Sequence, residues 1–152
     1  MRTLISCALL LLTVTAMAQS TLPKGCRPLT VQSDSLTIKA ENPKLIFIHN
    51  LAESELWITH PASNAGASAG WSSRLQTKNW SGLVINKGPF ILDCIESRPG
   101  HEQQIPCKGA VAACEWTKSK IPNEFKGDFW AGEDMSLAAL MAELGTRGIK
   151  PK

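Results

Sequence analysis

The chain has 152 residues, 43% of them hydrophobic and 19% charged. Its 16 Lys and Arg against 13 Asp and Glu give a formal net charge of +3, too small a surplus for the basic footprint that nucleic-acid binding requires. Wholesale disorder is excluded as well, because a chain of this length and apolar content buries ~68% of its unfolded surface and can build a core.

The first element in chain order reads as an address. Met1-Arg2 is a positively charged start, Leu4 to Val14 an apolar stretch, and Ala16-Met17-Ala18 an A-x-A cleavage pattern, the three parts of a secretory signal peptide. Cleavage is expected after Ala18, which removes Arg2 and leaves 15 basic against 13 acidic residues, a net charge of +2. A membrane anchor would need ~20 apolar residues, and Thr13, Thr15 and Gln19 break the run too early. Cys7 precedes most of the apolar run, which argues against a lipoprotein. The mature chain is therefore expected to be soluble and either periplasmic or secreted.

Removing Cys7 with the leader leaves Cys26, Cys94, Cys107 and Cys114. An even number in an exported domain reads as two disulfides, with three connectivities to choose from. Cys94 and Cys107 flank a polar loop between two apparent strands, which favours pairing them with each other and Cys26 with Cys114. No C-x-x-C occurs and no histidine lies at finger-like spacing, so a structural zinc site is not expected.

Residues 19–33 are read as an N-terminal segment, and strand signals dominate from there to Thr117. Leu36 to Lys39 alternates, Lys44 to Asn50 is a β-branched run, and Glu55 to His60 resumes after a short polar break, so the last two are expected to form a hairpin. Trp71 to Gln76, Trp80 to Asn86, Pro89 to Glu96 and Ala110 to Thr117 follow, each bounded by Gly, Pro or Asn. Seven short strands at this spacing predict a mainly β domain over 34–117, a disulfide-stapled β-sandwich of the immunoglobulin or cupredoxin kind.

The period then changes. Leu137, Leu140, Met141 and Leu144 fall at i, i+3, i+4 and i+7, with Glu133 and Asp134 before them and Gly145 after, which predicts a short helix over 134–144 in a tail spanning 118–152. A helix this short must dock to persist. The four apolar residues pack either on their own sandwich or on a partner.

Several groupings could carry chemistry. His49 and His60 lie on the two arms of the expected hairpin; a turn at Ala52-Glu53 would hold them ~13 Å apart, whereas a turn at Ser54-Glu55 would make them neighbours able to share a metal. Two strand-end histidines with satisfied nitrogens are the plainer reading, and neither metal nor cofactor is expected. Glu96 to Gln104 is the most polar stretch of the domain and contains Glu96, Arg98, His101, Glu102 and Gln103. It reads as a solvated loop with a Pro99-Gly100 turn and a candidate recognition surface. Asn64 to Gly70 is a run of small residues leading into Trp71 and Arg74, so Ser68, Trp71 and Arg74 are further candidates for a surface that a ligand could approach closely. Asn79-Trp80-Ser81 fits a glycosylation triplet by chance. No hydrolase elbow, zinc-protease motif, phosphate loop or free cysteine nucleophile occurs, so no catalytic residue is assigned.

Gly25-Cys26-Arg27-Pro28-Leu29, Phe47 to Asn50, Leu56 to Pro61, Ala65 to Ser73, Cys94 to Gln104 and Phe129-Trp130 together resemble the enhanced-entry protein B (EnhB) family of intracellular bacterial pathogens, over Gly25 to about Gly148. The resemblance implies an exported, non-enzymatic envelope protein, virulence-associated through host-cell entry, with an envelope protein partner such as a Sel1-repeat protein. It brings no catalytic residues. A protein-binding adaptor is therefore the leading expectation. The alternatives are a cell-wall carbohydrate-binding or hydrolytic protein using Glu96, Glu102 and His101, and a periplasmic metal carrier using His49, His60 and His101.

Overall fold

The computed structural model describes residues 22–61, 72–117, 119–125 and 127–151. The expected leader over 1–18 lies outside them, as do Ser68 and Trp71. The elements are β1 (Cys26–Pro28), β2 (Ser35–Ile38), β3 (Lys44–Asn50), β4 (Leu56–Thr59), β5 (Ser72–Leu75), β6 (Trp80–Ile85), β7 (Phe90–Arg98), β8 (His101–Ile105), β9 (Val111–Trp116), β10 (Ser119–Lys120), β11 (Phe129–Met135), α1 (Leu137–Thr146) and β12 (Lys150–Pro151).

Two antiparallel sheets form a sandwich-like arrangement. The first has the order β1-β9-β3-β6-β11, the second β2-β7-β4-β5 with β8 also on β7, and β10 pairs with β12 apart from both. Side chains alternate across a strand, and over residues 45–48 of β3 both sets are apolar and buried. Ile46 and Ile48, with Leu83 and Ile85 of β6, face the second sheet and meet Leu36, Leu56, Ile58, Leu75, Phe90 and Leu92. Leu45 and Phe47, with Val84 of β6, face the other way, into a second core with Trp116, Leu140, Leu144 and Ile149. The first sheet is thus covered on both sides, by the second sheet and by the C-terminal segment.

The two disulfides are Cys26–Cys114 and Cys94–Cys107, with Cα separations of 5.5 and 5.3 Å. The first ties the three-residue edge strand β1 to β9. Beside it Glu115 accepts from Arg27 at 2.7 Å and Lys44 at 3.3 Å. Burial pushes the Glu115 carboxyl up, but the hydrogen bonds and positive charges of Arg27 and Lys44 together more than offset it and hold it below its ordinary value.

The expected hairpin of residues 44–50 with 55–60 does not form. β3 pairs with β6 and β9, while β4 pairs with β5 and β7 in the other sheet. The reason is burial: Ile46 and Ile48 share one core with Leu56 and Ile58, so the two strands face each other across that core instead of lying edge to edge. Asn50 fixes the crossover. Its side chain is buried, donating to the Ser54 carbonyl and the Leu75 carbonyl, both at 2.9 Å, and accepting from Ala52 N.

The sheets also extend beyond 34–117 at both ends, since β1 and β11 belong to the first. The helix sits two to three residues later than the 134–144 expected. Asp134 lies at φ +49° in β11, and its carboxylate accepts from Gln76 N and Asn79 Nδ2. Ser136 is the N-cap, accepting from Ala139 N. Gly145 lies inside the helix, and Gly148 at φ +72° ends it. Gly148 N donates to the Gly145 carbonyl and Ile149 N to the Leu144 carbonyl, the pair of bonds of a Schellman cap.

Leu140 and Leu144 are buried on the first sheet, with Leu137 and Met141 packed around them, so the apolar stripe docks on its own domain and is not an open partner surface. Gly82 of β6 and Gly132 of β11 are cross-strand partners. A Cβ on Gly132 would meet Leu140 Cδ1 at 2.5 Å, and one on Gly82 would meet it at 3.1 Å. The paired glycines form the seat for Leu140. Urea unfolding should show Leu140→Ala losing about 2–5 kcal/mol through the cavity it leaves, and Gly132→Ala losing about 1–3 kcal/mol through overpacking against Leu140.

Candidate functional site

The stretch from Glu96 to Gln104, read from sequence as a loop, is instead a strand hairpin. β7 and β8 pair from Cys94 with Ile105 to Arg98 with His101, without a register shift. The Pro99-Gly100 turn is where it was expected, with Gly100 at φ +80°, a conformation that glycine adopts without a Cβ clash. Strand pairing wins over local polarity because β7 is a central strand, with β4 on its other edge, and it supplies β8 with backbone partners whatever the β8 side chains are.

The hairpin is anchored at its root. Cys94–Cys107 joins β7 to the segment after β8, and Glu96 Oε1 accepts from Ser54 Oγ at 2.5 Å. Arg98 adds an ion pair to Glu96 at 2.9 Å. The Ser54 and Arg98 hydrogen bonds hold the Glu96 carboxyl below its ordinary value, so it stays ionised and is poorly suited to donate a proton. Ser97 N donates to the Glu55 carbonyl, extending the β4 to β7 ladder.

Beyond that root the hairpin is open. Glu96, Arg98, His101, Glu102 and Gln103 line one shallow depression, so the structure brings together these five sequence candidates. A second depression at the tip is lined by Glu55, Ser97, Arg98, Pro99, Gly100, His101 and Glu102. Arg98, His101 and Glu102 border both. Arg74 lies on β5, exposed, in an ion pair with Glu55, and the hydrogen bond to that carboxylate raises its already high pKa.

Trp57, Thr59 and Ile95, not singled out from sequence, complete the surface. Trp57, Thr59, Ser72, Ile95 and Glu102 line a shallow depression on the solvent side of the second sheet, where Trp57 pairs with Ile95 on one side and Arg74 on the other. Outward alternation with Leu56 and Ile58 was the available signal for Trp57. Glu55 was treated as part of a strand, and nothing local indicated its role as the partner of Arg74.

The three histidines are not assembled. His49 stacks on Trp80 with ring centroids 4.1 Å apart, His60 stacks on Phe90 at 4.1 Å with Nδ1 at 2.7 Å from the Ile91 carbonyl, and His101 is at the hairpin tip. The register that would have made His49 and His60 neighbours is absent because their strands belong to different sheets. Among the described residues no group of three or more His, Cys, Asp or Glu is placed to hold a metal ion, and no helix is long and apolar enough to cross a membrane.

Comparison with known protein families, curated proteins and solved structures finds no match to this chain.

His49 has a measurable consequence for stability. Its Nδ1 is buried without a hydrogen-bond partner, and burial lowers its pKa from the ordinary 6.5, against a smaller opposing effect of a backbone hydrogen bond to Lys78. Below about 6.5 the unfolded chain therefore binds more protons at this residue than the folded one, and stability falls as pH drops through that value towards the folded pKa. Denaturant midpoints measured from about pH 7.5 to about pH 5 should fall less steeply in His49→Phe, which keeps a ring against Trp80.

Proposed function

We propose that this chain is an exported, non-enzymatic envelope protein that binds a protein partner through the β7–β8 hairpin. The observation that carries this reading is the gathering of Glu96, Arg98, His101, Glu102 and Gln103 around one depression on an exposed hairpin with a covalently fixed root. Recognition residues on a projecting element held by a rigid scaffold are the usual arrangement for binding. The two disulfides suit an oxidising, exported compartment, periplasmic or secreted. The resemblance to the enhanced-entry protein B family supports an envelope partner, with a Sel1-repeat protein as the first to test and support of host-cell entry as the role. A photocrosslinking residue at Arg98 or Gln103, expressed in the source cell, should yield one discrete adduct with a protein other than a second copy of this chain, lost when Glu102→Lys is added; the exposed position Lys39 should yield none. Equal adducts at all three positions, or none at any, would overturn the reading.

Binding of cell-wall glycan is a second reading, favoured by the half-buried Trp57 beside Thr59, Ser72 and Glu102. An indole plane flanked by hydroxyl and carboxylate groups can stack on and hydrogen-bond a sugar. Cosedimentation with purified wall, abolished by Trp57→Ala and retained in Arg98→Ala, is the expected outcome under this reading. Absence of cosedimentation rules it out.

A further inference from the structure

Sheet edges are templates for another strand unless something blunts them. In this fold the edges differ, and β2, four residues long, continues the line of β8 along the side of β7 away from β4. β1 has three residues. β11 carries register shifts on both sides of Gly132 and a left-handed Asp134. β5 is closed off at its end by the bond from Gln76 N to the Asp134 carboxylate. β8 has none of these devices: it is regular along its five residues, exposed from His101 to Gln104, and paired with β7 alone among the described residues.

The hydrogen-bond parity of that edge can be read directly. Ser97 N bonds towards β4, and in an antiparallel sheet alternate residues bond to opposite sides, so Cys94, Glu96 and Arg98 bond towards β8. Their partners Ile105, Gln103 and His101 therefore bond back to β7. The N–H and C=O groups of Glu102 and Gln104 point to the open edge.

We propose that two copies of this chain pair antiparallel along β8, centred on Gln103, joining their second sheets into one continuous sheet. Parity requires a centre on a residue, and overlap of at least three strand residues leaves Glu102, Gln103 and Gln104. Centring on Glu102 opposes two like charges, which is destabilising. Centring on Gln104 places Glu102 opposite Pro106 of the second copy, which has no N–H to give. Centring on Gln103 overlaps the whole strand. It sets Glu102 opposite Gln104 twice and His101 opposite Ile105, with no like charges facing, and all four open-edge residues exchange hydrogen bonds. Both faces of the hairpin stay accessible in the pair. The inference does not rest on the partner reading, because pure protein with no partner present reads it out.

The test is sedimentation of the full chain, expressed with its leader so that export and oxidation precede purification, over a rising concentration series. A reversible dimer is expected. Gln104→Pro removes an outward N–H without touching the β7 ladder and should weaken the dimer by at least about tenfold, about 1.4 kcal/mol, with unchanged far-UV spectrum and disulfides. Gln103→Cys places two thiols at a non-hydrogen-bonded pair with Cα atoms ~4.5 Å apart, within disulfide range, and should give a covalent dimer on mild oxidation, whereas Lys39→Cys should not. A monomer at every concentration overturns the proposal. So does a dimer that tolerates Gln104→Pro, or one that fails to crosslink through Gln103→Cys.

Discussion

The first sheet is apolar on both faces, and everything else in the fold follows from the need to cover it twice. One cover is the second sheet, which meets Ile46, Ile48, Leu83 and Ile85. The other is the C-terminal segment, whose helix places Leu140 over the paired Gly82 and Gly132. Without side chains on those two residues the helix approaches the sheet closely enough to bury Leu140 and Leu144 completely. The same contact explains the bulged β11: Asp134 turns through a left-handed conformation, and the chain reverses into the helix at Ser136.

A second constraint acts where the chain passes from one sheet to the other. Buried amides are costly unless hydrogen-bonded, and the Asn50 side chain is satisfied on both its donor and acceptor sides by Ser54, Leu75 and Ala52. Ser54 in turn donates to Glu96. The crossover and the root of the β7–β8 hairpin are therefore one hydrogen-bonded unit, from which the hairpin projects.

Charge contributes mainly by placement. The exposed ion pairs Arg74 with Glu55 and Arg147 with Glu143 are screened by solvent and add little to stability. Covalent closure matters more. Cys26–Cys114 spans 88 positions and Cys94–Cys107 spans 13, so on chain-entropy grounds the long loop contributes about 4.5 kcal/mol and the short one about 3 kcal/mol. The longer closure secures β1, which is too short to hold its edge position by pairing alone.

Much of this was legible in the residues. The runs at 44–50, 80–86 and 110–117 became β3, β6 and β9, the pairing of Cys94 with Cys107 followed from the polar stretch between them, and the polar residues of that stretch do converge on one surface. Local pattern could not show which strands would be neighbours. Lys44–Asn50 and Leu56–Thr59 look like a hairpin because they are adjacent in sequence, yet they share a core across the sandwich, and the choice depends on β6, β7 and β9 competing for their edges. β8 carries almost no apolar signal, so its strand is imposed by β7. The last helix was visible as a period, but its start was misplaced because Asp134 is held by Gln76 and Asn79, far away in sequence, and its end because Gly148 rather than Gly145 terminates it. The sequence by itself determined the elements with strong apolar patterning and favoured one of the three disulfide connectivities through the short Cys94–Cys107 loop, since those depend on nearby residues. Sheet order, the burial of the helix and the open edge at Glu102 and Gln104 were decided by the tertiary structure, because each depends on which distant backbone arrives to pair with or cover it.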